Sequence, residues 1–253
     1  MKNITFLIIL FISTINYSQN KFDLIKPNLI NKIKEAFNAN YNKSLDEFSW
    51  KAAIGEKEIY DFLESDSLYA EIDTIFYPND KEIIVAINSF EKNPRVNYKY
   101  DCHGCSPYLN LIKLSNENNK LELIESKRNI TRYGSWGNPA ELELIKINDS
   151  IYFISINDKW NDMLFYYEFK RIYYKGTLQL IIQTVWGGEV SISETKTEAF
   201  NYKSKIEVNK NDLILIIRKE GTNYIHEKNK IVEINEINKY VFDLKDELLY
   251  QID

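Results

Sequence analysis

Two periodicities divide this chain. Between Pro27 and Phe37 the apolar residues Ile30, Ile33 and Phe37 recur at helical spacing, with Leu29 and Ala36 beside them, and predict an amphipathic helix. Pro27 suits the first turn, where its missing N–H would have had no partner anyway. Ser44-x-x-Glu47 reads as a capping box for a second short helix carrying Phe48 and Ala52 and ended by Gly55. Ile59, Phe62 and Leu63 suggest another helical piece. The pattern then shifts to short β-branched and aromatic runs broken by Asn, Asp, Ser and Pro. Glu71 to Tyr77 and Glu82 to Phe90 flank Pro78-Asn79-Asp80 and predict a hairpin. Leu109 to Leu114 with Lys120 to Glu125, and Glu141 to Ile147 with Ile151 to Ile156, predict two more. Further strand candidates are Phe165 to Tyr174, Leu178 to Val185, Val190 to Thr197, Phe200 to Val208, Leu213 to Arg218 and Ile231 to Ile234. Hairpins in series without long intervening helices predict a mainly β fold of antiparallel sheets, sandwich- or barrel-like.

The first residues follow neither period. Met1-Lys2-Asn3 carries one positive charge, and Ile4 to Ile12 is apolar except for Thr5. That run is shorter than the roughly 20 residues a membrane-spanning helix needs, and it matches the core of a secretion signal. Ser18 is a suitable small residue for cleavage, although Asn16 fits the small-x-small rule poorly. The expected organisation is a signal peptide over 1–18, a helical N-terminal region over 19–66 and an antiparallel β domain over 67–253. The expected location is periplasmic or extracellular, with no later stretch apolar enough to span a membrane.

Composition narrows the partners. The net charge of −5 and the scattered basic residues oppose a nucleic-acid footprint, which needs a basic face. Only 8 Gly and 5 Pro exclude a linker-dominated chain, and 18 Tyr favour strands. The partner expected is a protein or glycan ligand, with no cofactor.

The candidate chemistry sits at the two cysteines, Cys102 and Cys105, in Asp101-Cys102-His103-Gly104-Cys105. In an exported protein, cysteines this close are expected to form a structural disulfide. The loop it closes is small, so it should stabilise by less than the ~3 kcal/mol of a 15-residue loop. The alternative is a thiol–disulfide oxidoreductase using the same pair, with His103 favouring the thiolate and Pro139 standing before a strand. Against it, the segment after Cys105 is too short for a long active-site helix, and no Trp precedes Cys102. Ser106 occupies the place where haem attachment needs His, and the nearest further histidine for a zinc site is His226.

The run Cys102-His103-Gly104-Cys105-Ser106-Pro107-Tyr108-Leu109, followed by Tyr133-Gly134-Ser135-Trp136-Gly137-Asn138-Pro139, resembles a loose group of uncharacterised secreted or periplasmic bacterial proteins. These carry a Cys-His-x-Cys-x-Pro segment and then a Gly-x-Trp-Gly segment before a hairpin. The resemblance covers residues 80–160 and implies a β-rich exported protein; it implies no activity. Gly134 and Gly137 predict a tight bend that lays Trp136 on the sheet as a structural packing residue. Trp136, Trp160 and Trp186 are spaced like core tryptophans rather than a propeller repeat. Asn157 to Asp162 lacks the acid spacing of a calcium loop and reads as a turn. No phosphate loop, His-Glu-x-x-His or Gly-x-Ser-x-Gly is present. The sequence therefore points to an exported, non-catalytic binding or envelope-associated module.

Overall fold

The computed structural model describes residues 25–52, 66–93, 98–99, 105–117, 120–161, 165–193 and 196–252. The expected signal peptide, the helical piece at 59–63 and Cys102 lie outside them. Helix α1 spans 25–37 and buries Ile25, Leu29, Ile33 and Phe37, one residue per turn. It stops at Asn38, which takes a left-handed φ of 50°, and the Ala39 N–H returns to the Lys34 carbonyl at 3.1 Å. The Arg128 guanidinium caps the end by donating to the Phe37 carbonyl at 2.5 Å.

The second helix predicted from Ser44 does not form. Residues 40–51 instead make a hairpin of β1 (Asn40–Asn42) and β2 (Glu47–Lys51). Ser44 donates its backbone N–H and its hydroxyl to the Asn42 side chain, a local turn that competes with a helix cap. Glu47 is buried and pairs with Lys92 rather than reaching back to Ser44. Phe48 and Trp50 are then both buried on one strand face.

Most of the rest of the described chain is antiparallel strand, with one 3-10 turn at His226–Lys228. β3 (Ser67–Asn79), β4 (Glu82–Phe90), β7 (Tyr108–Glu117) and β8 (Lys120–Arg132) join β1 and β2 in a six-stranded sheet of order β1-β2-β3-β4-β7-β8. A small ladder of β5 (Lys92–Asn93) and β6 (Tyr98–Lys99) stands apart from it. The second sheet has eight strands in reverse sequence order, β16-β15-β14-β13-β12-β11-β10-β9. They are β9 (Glu141–Lys146), β10 (Tyr152–Asn161), β11 (Phe165–Tyr174), β12 (Thr177–Ser193), β13 (Lys196–Asn209), β14 (Ile214–Ile225), β15 (Lys230–Asp243) and β16 (Leu248–Ile252). Each sheet is an antiparallel meander. Neither closes into a barrel.

Sheet one is the middle of three layers. Ile83, Val85 and Ile87 of β4 and Ile112 and Leu114 of β7 pack with α1, Phe48 and Trp50. Ala86 and Leu109, on the opposite face, pack with Tyr133, Ile156 and Tyr173 of the second-sheet side. This explains why β4 reads as an almost unbroken apolar run: both its faces are covered. Sheet two curls over itself. Phe242 of β15 meets Phe153 of β10 and Tyr174 of β11, with ring centres 5.4 and 4.8 Å apart, although several strands separate them in sheet order. No helix among the described residues is long and apolar enough to cross a membrane.

Candidate functional site

The two segments singled out in the sequence meet in space. Residues 105–107 run alongside 133–138 before entering β7. The Gly137 N–H donates to the Cys105 carbonyl at 2.7 Å, the Tyr133 N–H to the Pro107 carbonyl at 3.0 Å, and the Ser106 hydroxyl to the Gly134 carbonyl at 2.7 Å. Cys105 is half-buried. The chain that follows it is strand, not helix.

The bend itself is as predicted, but its tryptophan lies at the surface rather than in the core. Ser135 and Asn138 bridge across the turn, and Trp136 and Gly137 both have positive φ, 53° and 71°. A two-residue turn of that type puts its two central residues at the tip of the loop. Trp136 is accordingly 51% exposed, and its assignment as a packing residue is corrected. Gly134 carries the constraint instead. Its φ is +80°, and a Cβ there would lie 2.0 Å from the Asn138 carbonyl oxygen.

A polar lattice fixes this loop to both sheets. The Gly134 N–H donates to Asp158 of β10 at 2.7 Å, and Asp158 pairs with Arg171 of β11. Arg171 also donates to the Thr131 hydroxyl and the Arg132 carbonyl, each at 2.7 Å. The Tyr133 hydroxyl, on a ring only 1% exposed, donates to Asp73 of β3 at 2.6 Å. Burial pushes the Asp73 carboxyl above its usual range, against the pull of the Tyr133 and Thr74 hydrogen bonds. Burial drives the Tyr133 phenol up as well. These bonds link the loop to β3, β10 and β11 and so tie the two sheets together.

The space for a ligand lies elsewhere between the sheets. At the hairpin-turn end the layers part and leave a cleft of about 680 Å³. Ile84 and Leu111 of sheet one and Ile154 and Tyr173 of sheet two line its apolar part. Ile84 and Ile154 are buried by position in the sheets, at 4% and 5% exposure, yet line the cleft. The polar part is built on Glu82, which pairs with Lys113 at 2.8 Å and accepts from Asn79 at 3.1 Å and Tyr152 at 3.4 Å. Asn79 also donates to the Asp149 carbonyl at 2.8 Å, tying the β3–β4 turn to the β9–β10 turn. Lys113 is held above the ordinary lysine range: burial lowers it, but the hydrogen bonds to Glu82 and Tyr152 and the Glu82 charge outweigh that. Burial raises the Tyr152 phenol. The cleft therefore offers a fixed cation, a carboxylate acceptor and a neutral phenol above an apolar floor.

Sequence reasoning missed this cleft because its lining residues sit in six strands and three turns. The only local hint was that Pro78-Asn79-Asp80 and Asn148-Asp149-Ser150 are both tight hairpin turns. Among the described residues no three His, Cys, Asp or Glu side chains gather as a metal site. No known protein-family model, curated protein or solved structure matches the chain.

Proposed function

We propose that the protein is an exported, non-catalytic binding module that holds a small amphipathic molecule in the cleft between its two sheets. The carrying observation is the cleft itself, of ordinary ligand-pocket size, with an apolar floor and a few convergent polar groups. A ligand's apolar body would lie on Ile84, Leu111 and Ile154, and its polar end would reach Lys113, Glu82 and Tyr152. The leader-like run from Ile4 to Ile12 supports export, and export supports oxidation of Cys102 and Cys105 to a structural disulfide. The strand after Cys105 favours that role over a catalytic dithiol, which sits at a helix N-terminus.

Native mass spectrometry of the exported protein tests the binding role, with Leu111→Trp as the filled-cleft control. A retained small molecule in the wild type that is absent from the variant is the expected result. A bare wild type, or the same adduct in both proteins, refutes it. N-terminal sequencing of the same material should begin near Gln19, and intact Met1 would remove the case for export.

A further inference from the structure

A second tryptophan stands on sheet two, far from the cleft in the strand register. The face of β10–β12 that carries Phe153, Ile172 and Ile182 into the core changes character further along. Strand pairing places Ser155 beside Ile172, Asn157 beside Lys170, and Glu168 between Lys159 and Thr184. Ser155, Asn157, Glu168 and Thr184 are 0%, 6%, 7% and 5% exposed, a set of buried polar groups on one face. Beyond them the pairing of β11 with β12 slips between Tyr166 and Tyr167, and Trp186 is the extra residue of that bulge. Bulges of this kind re-aim a side chain.

Trp186 is held rather than loose. Its indole N–H donates to the Glu168 carboxylate at 2.9 Å, and the Lys203 ammonium lies 5.7 Å from its ring centre. Glu168 is in turn 3.7 Å from Lys170, which is 3.5 Å from Glu143. Yet the ring is 53% exposed, and Tyr166 nearby is 57% exposed. A Cβ added at Gly187 would meet nothing within 4 Å, so the chain beside the ring is open. Burying a carboxylate to orient an indole that then remains in solvent is costly for a purely structural device. It is what a preorganised stacking surface requires, because the ring loses little freedom when a ligand arrives.

We propose that Trp186, with Tyr166 and the Glu168–Lys170–Glu143 group, forms a carbohydrate-binding site for neutral oligosaccharides. A pyranose ring has an apolar C–H face and a rim of hydroxyls that both donate and accept. The indole meets the face; the half-exposed Glu143 carboxylate accepts from the rim, the Lys170 and Lys203 ammoniums donate to it, and the buried Glu168 holds the indole in place. Glu143 and Glu168 lie among Lys159, Lys170 and Lys203, so an ionic ligand of either sign meets a like charge as well as an opposite one, and a neutral sugar meets neither penalty. A phosphate would face Glu168 and an organic cation would face Lys203. The site is independent of the cleft, and Leu111→Trp should leave it intact.

The test titrates the full exported chain with cellotetraose, xylotetraose, mannotetraose and chitotetraose, following tryptophan emission and heat. At least one sugar should bind saturably below about 10 mM. Trp186→Ala should weaken it by at least about tenfold, in a variant whose circular dichroism shows it still folded at the assay temperature. Trp186→Phe, which keeps a ring but loses the bond to Glu168, should fall between. If Trp186→Ala does not fold, Tyr166→Ala carries the same decision. No saturable binding of any of the four sugars, or equal affinity in the ring-deleted variant, overturns the proposal; that includes the case in which the patch proves to seat a protein partner.

Discussion

Replacing Tyr133 with Phe isolates a single buried bond between the layers. The ring would remain packed with Ala86, Leu109, Ile156 and Tyr173, so the apolar contribution is retained. What is lost is the hydroxyl that donates to Asp73 at 2.6 Å. A hydrogen bond to a charged group contributes roughly 1.5–3 kcal/mol, so Tyr133→Phe should cost about 2 kcal/mol at pH 7. The pH dependence follows from Asp73, whose folded carboxyl lies above its unfolded range mainly because it is buried. The folded chain then binds the extra proton between the unfolded value of about 3.9 and the raised folded value. Stability on this account falls as pH rises through that window and is flat above it. Removing the Tyr133 donor raises the folded carboxyl further, so the fall should extend to higher pH in the variant. Below the window Asp73 is protonated in both states, and the lost bond becomes a neutral one worth about 1 kcal/mol. Urea unfolding at pH 7 and near pH 3, with an unchanged m-value, reads both numbers. Asp73→Asn should abolish the difference between the two pH values. A cost below about 0.5 kcal/mol at pH 7, or an equal cost at both, would refute the reasoning.

Three further outcomes are expected. Gly134→Ala should destabilise by upwards of about 2 kcal/mol, from left-handed strain plus the clash with the Asn138 carbonyl, while Gly187→Ala in open space should stay within about 0.5 kcal/mol; chemical denaturation compares them. Phe242→Ala should cost roughly 3–5 kcal/mol, because its ring joins the two halves of the curled sheet, and a loss near 1 kcal/mol in the same assay would mean that the halves do not pack there. Trp136→Ala should change stability by less than about 1 kcal/mol, as measured by thermal unfolding, since the half-exposed ring projects from a turn.

The strands were legible because alternation is local. Phe165–Tyr174 was read to its ends, and the three early hairpins stand where their turn residues put them. Local chemistry was also enough for α1, whose apolar stripe admits only one buried face. It misled at Ser44, where Asn42 offered the serine a nearer partner than a helix backbone, and where the alternation of Phe48 and Trp50 was the stronger signal. β1, β2 and β16 escaped notice as short segments whose pairing partners are what make them strands. Trp136 shows the other limit. The flanking glycines foretold the bend, but whether a ring at its tip meets a sheet or solvent depends on the turn's handedness and on what lies across from it. The cleft around Glu82 and the face around Trp186 belong wholly to that second category. The cleft unites strands far apart in the chain across the gap between two sheets, and the face around Trp186 unites neighbouring strands whose register and bulge bring its side chains within reach of one ligand. A sequence specifies which residues can turn inward along a strand; distance between strands is decided by packing, and chemistry at a site is a matter of distance.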